Sequence, residues 1–135
     1  MSYYIAATLK VPFDRAIDMT EAALKTEGFG IISRIDLQQA FKEKIGVDFR
    51  PYTILGACNP KLAHEALGIE DKVGTMLPCN VVVQAKGENE TEVAAIDPVA
   101  SMQAIPNAEL KEAAAEVRDR LGAAMQVLEE SKAEA

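Results

Sequence analysis

Two cysteines, each followed by an asparagine, are the side chains of this sequence best suited to chemistry. Cys58 ends an apolar run, and the Asn59-Pro60 pair behind it is typical of a helix start. The partial positive charge of a helix N-terminus favours the thiolate form of a neighbouring cysteine, which is the reactive form. Cys79 opens a second apolar run, so the two thiols approach each other if the two runs are neighbouring strands.

The single histidine, His64, follows in the predicted helix behind Cys58. If its ring points back toward the thiols, Cys58, His64 and Cys79 form a cluster that suits a soft metal ion, a haem iron or a redox thiol pair. A second interpretation is that both cysteines fill gaps in a sheet and that His64 faces solvent. The spacing matches no CxxC site, and the residues alone leave both interpretations open. The cofactor is therefore unknown, with a metal ion or haem as the candidates.

Arg50 belongs to a second group of candidate residues. Pro51 holds the residue before it in an extended conformation, so the Arg50 guanidinium is expected to project from a strand edge. It either clamps Asp97 across the sheet or stays free to bind a carboxylate or phosphate. No catalytic residue is predicted. The predicted ligand-binding residues are Arg50, Tyr52, Cys58, Asn59, Cys79, Asn80 and Asp97.

Length and charge bound the class of protein. The chain has 135 residues, 49% of them hydrophobic, with a net charge of −7. This length predicts one domain over residues 1–135, with a core at about 3–128 and a frayed tail at 129–135. The negative charge argues against nucleic acid as a partner, and no apolar run approaches the roughly 20 residues needed to span a bilayer. The first residues show no signal peptide, so we expect a cytoplasmic protein with reduced thiols.

Motifs of the common catalytic classes are missing from the sequence. The stretch Gly28-Phe29-Gly30 lacks the third glycine of a dinucleotide fingerprint, and no Walker loop, GxSxG elbow or HExxH helix occurs. The sequence therefore indicates no enzyme class and favours a non-catalytic protein.

Hydrophobic periodicity and turn residues indicate the secondary structure. Apolar runs predict strands at 3–10, 31–35, 52–58, 76–84 and 91–97, the last two joined by a hairpin at 86–90. Helical spacing and capping residues predict helices at 12–28, 36–46 and 59–68 and a long one from Asn107. This order predicts an α+β fold, with a five-stranded, mainly antiparallel sheet and helices on one face.

The third and fourth strands are apolar on both faces. Helices on one face leave the other uncovered, and that surface is too apolar for a stable monomer. A homodimer or an apolar ligand should cover it, and we favour the homodimer. The two faces carry Tyr52, Ile54, Gly56 and Cys58 against Leu55 and Ala57 in the third strand, and Leu77, Cys79, Val81 and Val83 against Pro78 and Val82 in the fourth.

Several segments together resemble the DUF302 family of small bacterial and archaeal proteins, grouped with the TT1751-like proteins. They are 28–36 (GFGIISRID), 46–60 (GVDFRPYTILGACNP), His64, 77–81 (LPCNV) and 95–98 (AIDP), and the resemblance spans about residues 3–125. The ILGACNP and LPCNV segments are the most specific. The resemblance implies a β-α-β(4)-α fold, usually dimeric, and supplies no settled activity.

Two functions follow as hypotheses. The first is a homodimeric module that binds an unidentified small molecule without catalysis. The alternative is a thiol-redox or metal- or haem-binding protein that acts through Cys58, Cys79 and His64. A weaker third possibility is a structural subunit that meets a basic partner through an acidic C-terminal helix carrying Glu109, Glu112, Glu116 and Asp119.

Overall fold

A five-stranded antiparallel sheet forms the centre of the protein, in a computed structural model that describes residues 2–131. The order across the sheet is β1-β5-β4-β3-β2, and each strand is antiparallel to its neighbours. This confirms the α+β class and the five-stranded sheet that the sequence predicts. The strands are β1 (Tyr4–Leu9), β2 (Gly30–Asp36), β3 (Tyr52–Cys58), β4 (Cys79–Gly87) and β5 (Glu90–Ile96).

Two long helices cover one face of the sheet and form the main core with it. Helices α1 and α5 contact each other; α1 also packs on the strands β4 and β5, and α5 packs on the edge strand β1, with Leu24 of α1 and Leu121 of α5 on their apolar stripes. Alternation along the strands turns Leu55, Val81 and Val93 toward these helices. The helices are α1 (Phe13–Thr26), α2 (Leu37–Ile45), α3 (Pro60–Ile69), α4 (Pro98–Ser101) and α5 (Ala108–Ser131), with a 3₁₀ helix at Asp71–Met76.

A second, smaller core lies beyond the end of the sheet. There the first half of α5 packs against α3, α4 and the 3₁₀ helix. Its buried residues are Ala66, Val73, Met102, Leu110 and Ala114. Helix α5 therefore contributes to both cores, since its second half covers the sheet and its first half extends past it.

Short polar side chains cap the starts of α2, α3 and α5, and the caps at Asp36 and Asn59 are those that the sequence predicts. The Leu62 N–H donates to Asn59 Oδ1 at 3.3 Å, and the Gln39 N–H donates to Asp36 Oδ1 at 3.0 Å. Asn107 caps α5 in the same way. Gly46 ends α2 with φ of 66°, a left-handed conformation that glycine adopts at little cost.

The boundaries predicted around the second half of the sheet are wrong in two places. Helix α3 continues through Gly68 to Ile69, since Gly68 does not take up a left-handed conformation. Strand β4 begins at Cys79 rather than at Met76. The reason is that β3 ends at Cys58 and Ala57 pairs with Cys79, so residues before Cys79 have no strand to pair with.

The segment after β5 and the C-terminal tail also differ from the sequence-based expectation. The short helix α4 follows Asp97, whose side chain accepts a hydrogen bond from the Val99 N–H at 2.9 Å. Helix α5 runs to Ser131, so the first part of the tail expected at 129–135 is helical. Residues 132–135 of that tail lie outside the described residues. Within residues 2–131, no helix has the length and apolar character needed to cross a membrane.

The face of the sheet opposite α1 and α5 stays accessible. We call it the open face, and its central apolar side chains are partly exposed. Tyr4 is 45% exposed and Ile35 is 49% exposed at the two edge strands. Across the middle of the open face lie Tyr52, Ile54, Val82, Ala94 and Ile96.

We predict that Gly56→Ala destabilises the protein and that the matched variant Gly68→Ala does not. A Cβ at Gly56 would collide with the Ser33 hydroxyl and lie 2.7 Å from Pro78 Cγ, so the neighbours must move. Overpacking of this kind costs roughly 1–3 kcal/mol in the free energy of unfolding. A Cβ at Gly68 meets nothing within 4 Å, and alanine in a helix gains up to about 1 kcal/mol over glycine. Urea denaturation of both variants measures the difference, and equal effects would contradict the close contact at Gly56.

Candidate functional site

A pocket of about 220 Å³ opens where β3 ends and β4 begins. It lies between this end of the sheet and the helices α3 and α5, at the junction of the two cores. Small side chains face each other across it, so the helices leave space that larger residues would fill. Helix α3 contributes Leu62, Ala63 and Ala66, and helix α5 contributes Leu110, Ala113, Ala114 and Val117.

Both cysteines line this pocket, and both are free thiols. The condition under which the sequence lets the two thiols approach each other is met, because β3 pairs with β4. Cys58 is half-buried, whereas only 6% of Cys79 is exposed. Burial, and secondarily the neighbouring Cys58, raises the pKa of Cys79 from the ordinary value of 9.0 to about 11. Cys79 is therefore a protonated thiol at neutral pH.

The pairing register offsets the two thiols by one residue. Cys79 lies opposite Ala57, and Cys58 is the next residue along β3. Side chains one residue apart along a strand leave the sheet on opposite faces. A disulfide needs Cβ atoms about 3.5–4.5 Å apart and pointing toward each other. Cys58 and Cys79 are therefore not a directly opposed cross-strand pair, although Cys58, at the last residue of β3, lines the same pocket as Cys79.

His64 is not brought to the cysteines. Leu62 and Ala66 face the pocket, and His64 stands two residues from each of them, which is about 200° around the helix. Its side chain is consequently exposed. Among residues 2–131, no three His, Cys, Asp or Glu side chains are grouped so that they could hold a metal ion. The cluster of Cys58, His64 and Cys79 that the sequence suggested does not form in this structure.

Asn59 lines the pocket with an amide that is already engaged at both ends. Its Oδ1 caps α3, and its Nδ2 donates to the Glu27 backbone oxygen at 3.3 Å. The amide therefore ties the end of α1 to the start of α3. This structural role accounts for Asn59 without a ligand.

Arg50 and Tyr52 lie on the other side of the sheet, at the open face. Arg50 Nε donates to Gln84 Oε1 at 3.0 Å, and the guanidinium carbon stands 4.4 Å from the centre of the Phe49 ring. Gln84 Nε2 in turn donates to Glu92 Oε1 at 3.0 Å. The result is a polar row across three strands, because Tyr52, Gln84 and Glu92 are level with one another in the register.

The clamp between Arg50 and Asp97 does not form. Asp97 lies five residues beyond Glu92 and just past the end of β5, so it is about 16 Å along the sheet from the level of Gln84, to which the Arg50 side chain is hydrogen-bonded. Asp97 instead caps α4, whose Pro98 lines the pocket. Asn80, one residue after Cys79, is exposed on the open face.

The predicted ligand-binding residues thus divide between two places. Cys58, Asn59 and Cys79 line the pocket, while the other candidates lie on the open face or cap a helix. The walls supplied by α3 and α5 were not predicted. The one signal in the sequence is alanine at helical spacing, as at Ala63 and Ala66, and such spacing is equally common in helices that pack tightly.

Comparisons with known proteins agree with this fold. A family model described as "Domain of unknown function DUF302" matches residues 5–128. The crystal structure of an uncharacterized conserved DUF302 protein from Bacillus stearothermophilus superposes with a TM-score of 0.87. The two chains are 29% identical, and the match covers 95% of this chain and 99% of that one. No curated protein matches the chain.

We predict that iodoacetamide modifies Cys58 at least about tenfold faster than Cys79 in the folded protein at pH 8. Cys58 is partly exposed, whereas Cys79 is buried and its raised pKa leaves little of the reactive thiolate. Peptide mass spectrometry over a time course measures both rates. In urea the two cysteines should react at similar rates, which is the control. Equal rates in the folded state would contradict the burial of Cys79.

A second prediction concerns alkaline pH. The folded state holds the Cys79 proton up to about pH 11, whereas the unfolded chain releases it near pH 9.0. The free energy of unfolding therefore falls as pH rises from about 9 to 11, by on the order of 2–3 kcal/mol from this group, and the contribution is intact below pH 9. Cys79→Ala lacks this titration, so its stability should fall less over the same interval. Urea denaturation at pH 8, 9, 10 and 11 compares the two proteins, and parallel pH profiles would contradict the prediction.

Proposed function

The chain belongs to the DUF302 family, whose description assigns no activity, and we propose from its own geometry that it is a homodimeric, non-catalytic module that binds a small apolar molecule. The observation that carries the proposal is the pocket at the end of β3 and β4. A concave, mostly apolar site with few polar groups is the usual form of a small-molecule site.

The pocket walls support binding because packing holds them in place. Leu62 and Ala66 of α3 and Leu110 and Ala114 of α5 are buried, so the cavity lies between elements that are already packed. A preformed cavity costs little ordering free energy when a ligand enters. Its apolar lining gives a favourable transfer free energy to any apolar group that fills it.

The chemical character of the lining favours binding over catalysis. None of the residues that line the pocket is Asp, Glu, His, Lys or Arg. General acid–base catalysis needs a titratable group within hydrogen-bond reach of the substrate. Burial also raises the pKa of Cys79 to about 11, which lowers its thiolate fraction below that of an ordinary cysteine and argues against a role as nucleophile.

The open face supports the dimer. Tyr52, Ile54, Val82, Ala94 and Ile96 form a contiguous apolar surface on the central strands. Apolar patches of this kind mark protein interaction sites, and a twofold axis lets one patch cover its own copy. The pocket is on the other side of the sheet end, so dimer formation leaves it accessible. Reduced thiols at Cys58 and Cys79 fit a reducing compartment, and we propose the cytoplasm.

A thiol function through Cys58 is the second candidate. The supporting observation is that Cys58 is a free, half-buried thiol in the pocket wall, where a bound molecule would meet it. Participation of Cys79 and His64, as redox partner or metal ligand, has less support because one is buried and protonated and the other faces away.

We predict that native mass spectrometry of protein purified without denaturation shows a dimer that carries a non-covalent small-molecule adduct. Val82→Glu places a charge in the centre of the open face and should give monomers, since a buried unpaired carboxylate costs several kcal/mol. Val127→Glu is the matched control, because Val127 lies on α5 and is 37% exposed.

The adduct should persist in Val82→Glu, because the pocket and the open face are separate. A wild-type monomer at micromolar concentration would contradict the dimer. Protein without an adduct, and without affinity for apolar compounds, would contradict the binding function.

A further inference from the structure

We propose that the pocket selects an uncharged apolar compound, of the size of one or two fused aromatic rings, and rejects organic anions such as carboxylates. This inference rests on the proposed binding function and specifies the class of ligand. It follows from the polar groups at the pocket, the start of α3 and the charges beside α5.

The pocket lining offers an anion no counter-charge. Its polar side chains are the two cysteines and Asn59, and the Asn59 amide is engaged with Leu62 and Glu27. A carboxylate that entered would lose its hydration without gaining a cation. A neutral ring system loses no such hydration and gains contact with the alanine and leucine side chains.

The N-terminus of α3 would ordinarily attract an anion, but the chain itself occupies the part of it that faces the pocket. Pro60 has no N–H, and the Leu62 N–H donates to Asn59 Oδ1 at 3.3 Å. The Ala63 N–H donates to the Asn59 backbone oxygen at 2.9 Å. The backbone donors that face the pocket at Leu62 and Ala63 are therefore occupied, and the helix start adds no anion site there.

Carboxylates beside the pocket act further against anions. A groove between α3 and α5 shares Ala113 with the pocket wall. Its negative charge raises the electrostatic free energy of an anion near the pocket. The effect on a neutral compound is small. The groove carries Glu65, Glu109, Glu112 and Glu116.

The volume sets the size of the ligand. Apolar cavities of roughly 150 Å³ hold a benzene molecule. This pocket, at about 220 Å³ and open to solvent at one side, has space for a second ring or a short alkyl group. A long acyl chain would extend out of the pocket into water, where its outer part would add little binding free energy.

The test compares two compounds with the same ring system, 2-naphthalenemethanol and 2-naphthoate, by fluorescence titration of the wild-type protein at pH 7. We expect the alcohol to bind at least about tenfold more tightly than the carboxylate. A tenfold ratio corresponds to about 1.4 kcal/mol, which is only part of the free energy needed to remove a carboxylate from water. Two-dimensional NMR of the protein should show the largest shifts at Ala63, Ala66 and Ala113.

Substitutions in the pocket wall test whether the alcohol binds inside the pocket. Ala113→Leu and Ala63→Leu each fill part of the pocket, so each should lower the binding affinity for 2-naphthalenemethanol at least about fivefold. The melting temperature of each variant confirms that it is folded. The matched control is Ala115→Leu on the same helix, outside the pocket lining, which should leave the affinity unchanged.

The outcomes separate this inference from the function on which it rests. Equal or tighter binding of 2-naphthoate in the pocket overturns the preference for uncharged ligands and leaves the binding function standing. If neither compound binds and the native protein carries a charged molecule instead, the inference is also wrong. If neither compound binds and no adduct is present, both the inference and the binding function fail.

Discussion

The side-chain amide of Asn59 joins the parts of the fold on which the pocket depends. Its oxygen starts α3, and its nitrogen holds the backbone at Glu27, where α1 has just ended. Gly28 next to it has φ of +86°, and a Cβ there would lie 2.9 Å from Asn59 Nδ2, so glycine permits both the turn and the close approach. Because β3 ends one residue earlier, this contact lies at the point where α3 leaves the sheet, beside the pocket that Asn59 lines.

Two separate surfaces result from this arrangement, and each has its own physical character. The pocket is enclosed by alanine and leucine side chains where the two cores meet, and its thiols are weakly polar. The open face carries aromatic and branched side chains together with a polar row through Arg50, Gln84 and Glu92. A module that dimerises through one surface and binds a ligand through the other needs no residue to serve both functions.

Local signals were sufficient for much of the fold. Asp36, Asn59 and Asn107 begin helices because each side chain satisfies an N–H of the first turn, which depends only on neighbouring residues. The strands through Ile54 and Val82 follow from β-branched apolar runs for the same reason. Predictions that needed knowledge of distant residues were less successful: strand β4 starts where β3 can pair with it, and Arg50 lies far along the sheet from Asp97.

The sequence by itself determined the class of fold and the order of the strands along the chain, and it made the proximity of Cys58 and Cys79 conditional on the pairing of the third and fourth strands. Only the tertiary structure decided what these thiols face. The pairing register offsets the two thiols by one residue, the turn of α3 places His64 on the solvent side, and α5 brings Ala113, which is 34 residues after Cys79 in the sequence, into the pocket wall. These features depend on how elements pack against one another, and packing geometry is not encoded in the periodicity of any single segment.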